Sequence, residues 1–264
     1  MGRLIVATDS WLLKASNLAA FILTLVINGV ASSTKLIGGV NTAEVSDAYP
    51  TLITPAGYTF AIWGVIYLLL GIFVVYQALP SQKGKDFQRK IGWLFVVSSI
   101  MNIAWIFCWQ YGQLVVSVGL IFLLLVSLIA IYLRLNVGRE PAPVRERLAV
   151  HLPFSVYLGW ITIATIADVA VTLVALNWGG LGIAAETWAL LITAVALLIA
   201  MAVIATRKDI GYGLVIIWAL AGIAVKQMAH PTIMMALEAG IVIIAVALIG
   251  TVLISRLWHR PKQG

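Results

Sequence analysis

The chain has 264 residues, 62% of them hydrophobic and 10% charged, with a formal net charge of +7. Average soluble domains carry about 25% charged residues, so this composition excludes a water-soluble enzyme and points to an all-α integral membrane protein. A single cysteine, Cys108, excludes an intramolecular disulfide and a thiolate metal cluster. The basic residues sit in short loops between apolar runs, which marks them as topology signals and not as a nucleic-acid surface.

A bilayer core of about 30 Å takes roughly 20 apolar residues per helix. Eight runs meet this length, at about residues 16–38, 56–78, 91–109, 113–134, 152–176, 184–205, 210–228 and 232–254. Each is continuously apolar, without the period-two alternation of a barrel strand, so each is expected to be a transmembrane helix. The first run follows Arg3 and Lys14 and ends near Ala31-Ser32-Ser33, which also fits a cleavable signal peptide. The alternation of the later runs favours keeping it as a span. With the N-terminus inside, 15 of the 17 Lys and Arg residues fall on the inner side, and only Lys35 and Lys226 fall outside. This charge bias places both termini in the cytoplasm, and the compact loops favour a bacterial plasma membrane. The segment Asn177-Trp178-Gly179-Gly180-Leu181-Gly182 is the richest in glycine. It divides the chain into a unit of five spans, residues 15–178, and a three-span extension, residues 183–256.

Ionisable groups inside spans are functional candidates, because facing lipid costs them several kcal/mol. Asp168 lies in the fifth span and Glu238 in the eighth. Asp168 has no basic residue within one turn, so its partner must come from another helix, a ligand or water. Glu238 and Lys226 flank the turn at His230-Pro231 and are expected to pair. Asn28 and Asn102 are polar groups in the first and third spans; an interhelical hydrogen bond and a ligand contact are both open for Asn102.

Of ten tryptophans, Trp11, Trp93, Trp109, Trp178, Trp188 and Trp258 fall near expected span ends, where indoles favour the interface. Trp63, Trp105, Trp160 and Trp218 lie deeper. Tyr157, Trp160, Ala164 and Asp168 share one face of the fifth span, Asn102, Trp105 and Trp109 one face of the third, and Trp63 and Tyr67 one face of the second. Tyr58, Trp63, Asn102 and Asp168 lie in the same half of the membrane. Converging faces of this kind would line an apolar, aromatic pocket with a few polar handles; aromatic packing between helices is the alternative.

The same residues carry a resemblance. Pro55-Ala56-Gly57-Tyr58-Thr59-Phe60-Ala61-Ile62-Trp63, continuing to Tyr67 and Gly71, resembles the second-helix signature of the TspO/MBR family of tryptophan-rich sensory and translocator proteins. Asn102-Ile103-Ala104-Trp105 resembles its third-helix element. Tyr157-Leu158-Gly159-Trp160-Ile161-Thr162-Ile163-Ala164-Thr165-Ile166-Ala167-Asp168 resembles its fifth-helix element. The resemblance covers about residues 15–178. The chain departs from the pattern in having Phe60 and Trp63 three apart where four is usual, and Ile163 and Asp168 where Phe and Asn are usual. Val118 and Phe122 stand where many members carry Trp and Asp. The last three spans have no counterpart in five-helix members.

The resemblance implies a five-helix bundle around a pocket capped by the loop at about 39–55. It implies a membrane receptor for a hydrophobic ligand, a porphyrin or other tetrapyrrole among the candidates, with a sensory or regulatory role. The ligand-binding residues it implies are Tyr58, Phe60, Trp63, Tyr67, Asn102, Trp105, Tyr157, Trp160, Ala164 and Asp168. Lys35 is the basic residue available to ligand propionates. Some bacterial members degrade protoporphyrin in light, and by motif position Trp63 and Trp160 would be the indoles involved. No nucleophile elbow, phosphate loop, zinc motif or haem-ligating His pattern is present, so other catalysis and a resident cofactor are not expected. Besides the bilayer and its ligand, a second copy of the chain is a candidate partner, since some members are homodimers. The competing reading is a secondary transporter of a small or hydrophobic solute using Asp168 and Glu238.

Overall fold

In a hydrocarbon layer every backbone N–H and C=O must be satisfied within the segment, so long apolar runs become helices. The computed structural model describes residues 11–258. The expected positions Arg3, His259, Arg260 and Lys262 lie outside that range.

The elements in order are α1 (Trp11–Ser33), α2 (Thr42–Ala48), and a 3-10 turn (Gly57–Ala61) that leads into α3 (Ile62–Ala78). Then come α4 (Asp86–Ile91), α5 (Leu94–Gln110) and α6 (Leu114–Leu135). A short α7 (Val144–Glu146) continues through a π turn (Arg147–His151) into α8 (Leu152–Ala175), followed by α9 (Ala185–Arg207), α10 (Ile210–Lys226) and α11 (Pro231–Trp258). Six segments are long and apolar enough to cross a membrane, and α5 and α10 are shorter apolar helices. These are the eight helices expected from the sequence. No strand occurs among the described residues.

Local chemistry sets the ends. Asn136 and Lys208 close α6 and α9 in the left-handed conformation, and backbone N–H groups there bond back to the last carbonyls, Val137 to Tyr132 and Lys208 to Ile204. Asp209 caps α10 by accepting from the Tyr212 N–H at 3.1 Å, so α9 and α10 are joined by two residues. Asn41 and Glu44 form a reciprocal capping box that nucleates α2.

Helices α1, α3, α5, α6 and α8 pack into one bundle. Every residue of α8 from Pro153 to Ile163 is buried. The cause is that α10 packs on the side of α8 turned away from the bundle. Gly159 permits this approach, since a Cβ there would stand 3.1 Å from Val215 and 3.3 Å from the Tyr212 carbonyl. Helices α9 and α11 pack on α10 rather than along α8. The last three helices therefore touch the bundle mainly through α10.

Polar pairs mark the two ends of the molecule. At the end where α1 starts and α11 finishes, Lys90 binds Glu140 at 2.8 Å and Asp209 accepts from the hydroxyls of Tyr132 and Ser155. At the opposite end α2 and the segment after it form a lid. The expected Glu238–Lys226 pair does not form. Lys226 pairs with Asp47 of the lid, and Glu238 is exposed on α11. A lysine at the end of α10 lies beside the lid, whereas Glu238 starts two turns along a helix that turns its flank outward.

Candidate functional site

The unusual spacing of Phe60 and Trp63 has a structural answer. Residues 57–61 form a 3-10 turn before α3 begins, and at three residues per turn positions i and i+3 line up. Phe60 and Trp63 consequently both present an edge to Trp160, at ring distances of 5.9 and 6.3 Å. Trp63 is the hub: it stacks on Tyr67 at 5.6 Å and meets Tyr157 at 6.0 Å and Trp105 at 6.1 Å. Trp105 in turn stacks on Trp109 at 6.0 Å. Edge-to-face and offset contacts of this kind suit the negative faces and positive edges of the rings.

A hydrogen-bonded chain ties this cage to the bundle. Asn28 donates to Asn102 at 2.7 Å, and Asn102 donates to the Tyr157 hydroxyl at 3.1 Å. Asp168 accepts from the Trp105 indole at 2.8 Å, and the hydroxyls of Ser117 and Thr172 lie 2.9 and 3.4 Å from its other oxygen. Asp168 is thus held by neutral donors from three helices, α5, α6 and its own. Among the aromatic residues of the cage, two polar groups stay unpartnered. The Trp160 indole N–H and the Tyr67 hydroxyl are buried and have no hydrogen-bond partner.

The lid closes the cage from above. Trp109 donates to the Thr42 carbonyl at 3.1 Å, and Gln110 to the Ala31 carbonyl at 2.7 Å. Lys35 binds Glu44 at 2.9 Å. Helix α10 grips the far side of the same segment. Gln227 donates to the Thr51 carbonyl at 3.1 Å, the Ala56 N–H to the Gly222 carbonyl at 3.0 Å, and the Trp218 indole to the Thr59 carbonyl at 2.9 Å. Lys226 adds its ion pair with Asp47. Gly222 is a place of forced close approach, because a Cβ there would collide with the Thr59 side chain.

Two cavities result, of very different size. One, of about 20 Å³, lies inside the cage and is lined by Thr42, Ser46 and Pro55 of the lid and by Phe60, Trp63, Trp105, Trp109, Trp160, Ala164 and Asp168 among others. That is room for about one water. The other, of about 1090 Å³, is a cleft between α8 and α9.

Nine of the ten residues expected at the site converge here: Phe60, Trp63, Tyr67, Asn102, Trp105, Tyr157, Trp160, Ala164 and Asp168. Tyr58 goes elsewhere. It is 49% exposed and packs edge-on against Trp218 of α10 at 5.7 Å. Sequence reasoning placed Trp109 at the membrane interface, but the structure buries it under the lid. Its i+4 spacing from Trp105 was the signal for this. Ser117, Thr172 and the lid residues Thr42 and Ser46 carried no signal, since isolated hydroxyls in apolar or loop segments are common. Lys35 is engaged with Glu44 and faces the lid surface, not the cage.

A family model described as TSPO-like protein matches residues 12–251, which includes the cage, the lid, and α9 and α10 together with most of α11. No curated protein and no solved structure matches the chain.

Proposed function

Because the chain belongs to the TSPO-like protein family, we propose that it is a membrane receptor that binds a hydrophobic, flat ligand of the tetrapyrrole class in the aromatic cage, with a sensory role. The observation that carries this reading is the Trp160 indole. It is 1% exposed, it lines the cage cavity, and its N–H has no acceptor. An orphaned buried donor costs about 1–3 kcal/mol, a cost that a ligand oxygen or nitrogen would remove. The surrounding rings offer π-faces and edges to a flat ligand.

The cage is closed as it stands. A ligand-sized pocket is about 300–1,000 Å³, so occupancy requires the lid to lift and Trp63 and Phe60 to separate from Trp160. Opening breaks the lid's outer ion pairs, which are exposed and contribute little each, and the hydrogen bonds from Trp109 and Gln227 to its backbone. Asp168 positions Trp105 and does not serve as a counter-charge to an anionic ligand.

Titrating the purified protein with protoporphyrin IX while recording tryptophan fluorescence tests the reading. Saturable quenching is expected in the wild type and should be lost in Trp63→Phe/Trp160→Phe. Quenching without saturation, or saturation untouched by the double variant, would remove the cage as the site. Repeating the titration under light asks whether new absorbing products appear and whether they need the same indoles. Asp168→Asn should retain binding; solute flux into proteoliposomes that this substitution abolishes would favour a transporter instead.

A further inference from the structure

A cavity far larger than the cage lies in the cleft between α8 and α9, about 1090 Å³ in volume. Its α8 wall runs from Thr162 to Val174 and its α9 wall from Ala185 to Ile199. At 1.5 Å per residue these walls are about 18 and about 21 Å long. Half of a bilayer core of about 30 Å is about 15 Å, so the cleft spans one leaflet, from the lid end toward the midplane.

The cleft is chemically graded along that length. Its deep walls are Leu, Ile, Val and Ala, and the two hydroxyls there are already engaged, Thr162 on the Leu158 carbonyl and Thr165 on the Ile161 carbonyl. Nothing in the deep part asks for a polar partner. At the lid end stand Lys226, Gln227 and His230; Gln227 is spent on the Thr51 carbonyl and His230 faces Glu186 at 3.6 Å, which leaves Lys226 as the cation for a headgroup. Trp178 and Trp188 pack together there at 5.3 Å, the level at which indoles anchor to headgroups. Lys226 reaches the half-exposed Asp47, an ion pair that a second anion can join. An ammonium offers three donors.

We propose that this cleft is a lateral binding site for one anionic glycerophospholipid of the adjoining leaflet, its acyl chains between α8 and α9 and its phosphate at Lys226. The occupant is fixed by the match to one leaflet, a depth with no unsatisfied polar group, and the cation at the headgroup level. Free anions lack the apolar part, and a zwitterionic lipid brings with its phosphate a quaternary ammonium that Lys226 repels. The site is independent of the cage and of what the cage binds.

Native mass spectrometry of the full chain, released from nanodiscs of equal phosphatidylglycerol and phosphatidylcholine, tests this. One retained phosphatidylglycerol is expected, favoured over phosphatidylcholine about fivefold, the effect of one lysine near a membrane surface. Val195→Trp fills the cleft from an exposed position on α9 and should abolish retention, and Ile199→Trp should do the same deeper down. Lys226→Gln should keep a bound lipid but erase the preference for phosphatidylglycerol. Equal retention of the two lipids by the wild type, or retention unchanged in both tryptophan variants, would show annular lipid only and overturn the proposal. A lipid-free dimer that Val195→Trp dissociates would overturn it too, in favour of a second copy on this face.

Discussion

The cage and the cleft lie on neighbouring faces of α8, yet they are opposites. The cage is closed, aromatic and threaded with hydrogen bonds from α1, α5, α6 and α8, with space for about one water. The cleft is open and mainly aliphatic, and its charged groups are confined to one end. The difference follows from how α8 is contacted. On one side the rings of α3, the turn before it and α5 interlock with those of α8. On the other, α10 makes the contact and holds α9 away. A site of the first kind is specific and needs a moving part to admit a ligand; a site of the second kind admits a flexible chain without rearrangement.

Breaking the hub should give the largest effect. Trp63→Ala removes one ring from contact with Tyr67, Trp105, Tyr157 and Trp160. It should cost about 3–5 kcal/mol, read as a lowered unfolding midpoint in detergent. Val195→Trp, at the cleft, should leave that midpoint unchanged. If both variants unfold alike, the contrast between a structural cage and an open cleft is wrong. Trp105→Phe keeps the ring but removes the donor to Asp168. About 1–3 kcal/mol of destabilisation is expected, and restoring stability by Asp168→Asn in the same chain would show that the unpaired carboxylate was the cause.

The lid connects the two regions, so its latches sharpen the comparison. Lys226→Gln removes an exposed ion pair and should change stability by at most about 1 kcal/mol. Its signature is kinetic: faster hydrogen exchange at residues 42–56, with exchange in α5 and α8 unaltered. Unchanged lid exchange would mean that the backbone bonds from Gly222 and the Trp218 indole hold the lid alone. The smallest effect concerns pH. The hydrogen bond from Lys35 and the Asn41 N–H hold the Glu44 carboxyl below the ordinary glutamate range. A carboxyl lowered in the folded state stabilises at pH above the ordinary range and loses that contribution as pH falls through its lowered value. Acidification into that window should loosen α2, seen as faster exchange there, and Glu44→Gln should remove the dependence.

Much of the site was legible because helices impose a period. Spacings of three and four placed Trp63 with Tyr67, Asn102 with Trp105, and Tyr157 with Trp160 and Asp168 on shared faces. Convergence of those faces was an assumption that only packing could settle. Tyr58 shows where the inference ends. It belongs to the same motif, but the 3-10 turn rotates it toward α10. The pairing of Lys226 with Asp47, 179 residues apart, instead of with nearby Glu238 had no local signal at all.

By itself the sequence determined the solvent, the helices and their faces. Hydropathy and run length are local properties, and in lipid the backbone has few alternatives to helix. The tertiary structure decided which face meets which neighbour. It decided that an aromatic stripe closes into a cage, that α10 latches the lid, and that α9 stands off α8 to leave a cleft. Those outcomes depend on contacts between residues far apart in the chain, where a single glycine such as Gly159 or Gly222 sets how near two backbones come. No periodicity along one helix encodes that distance.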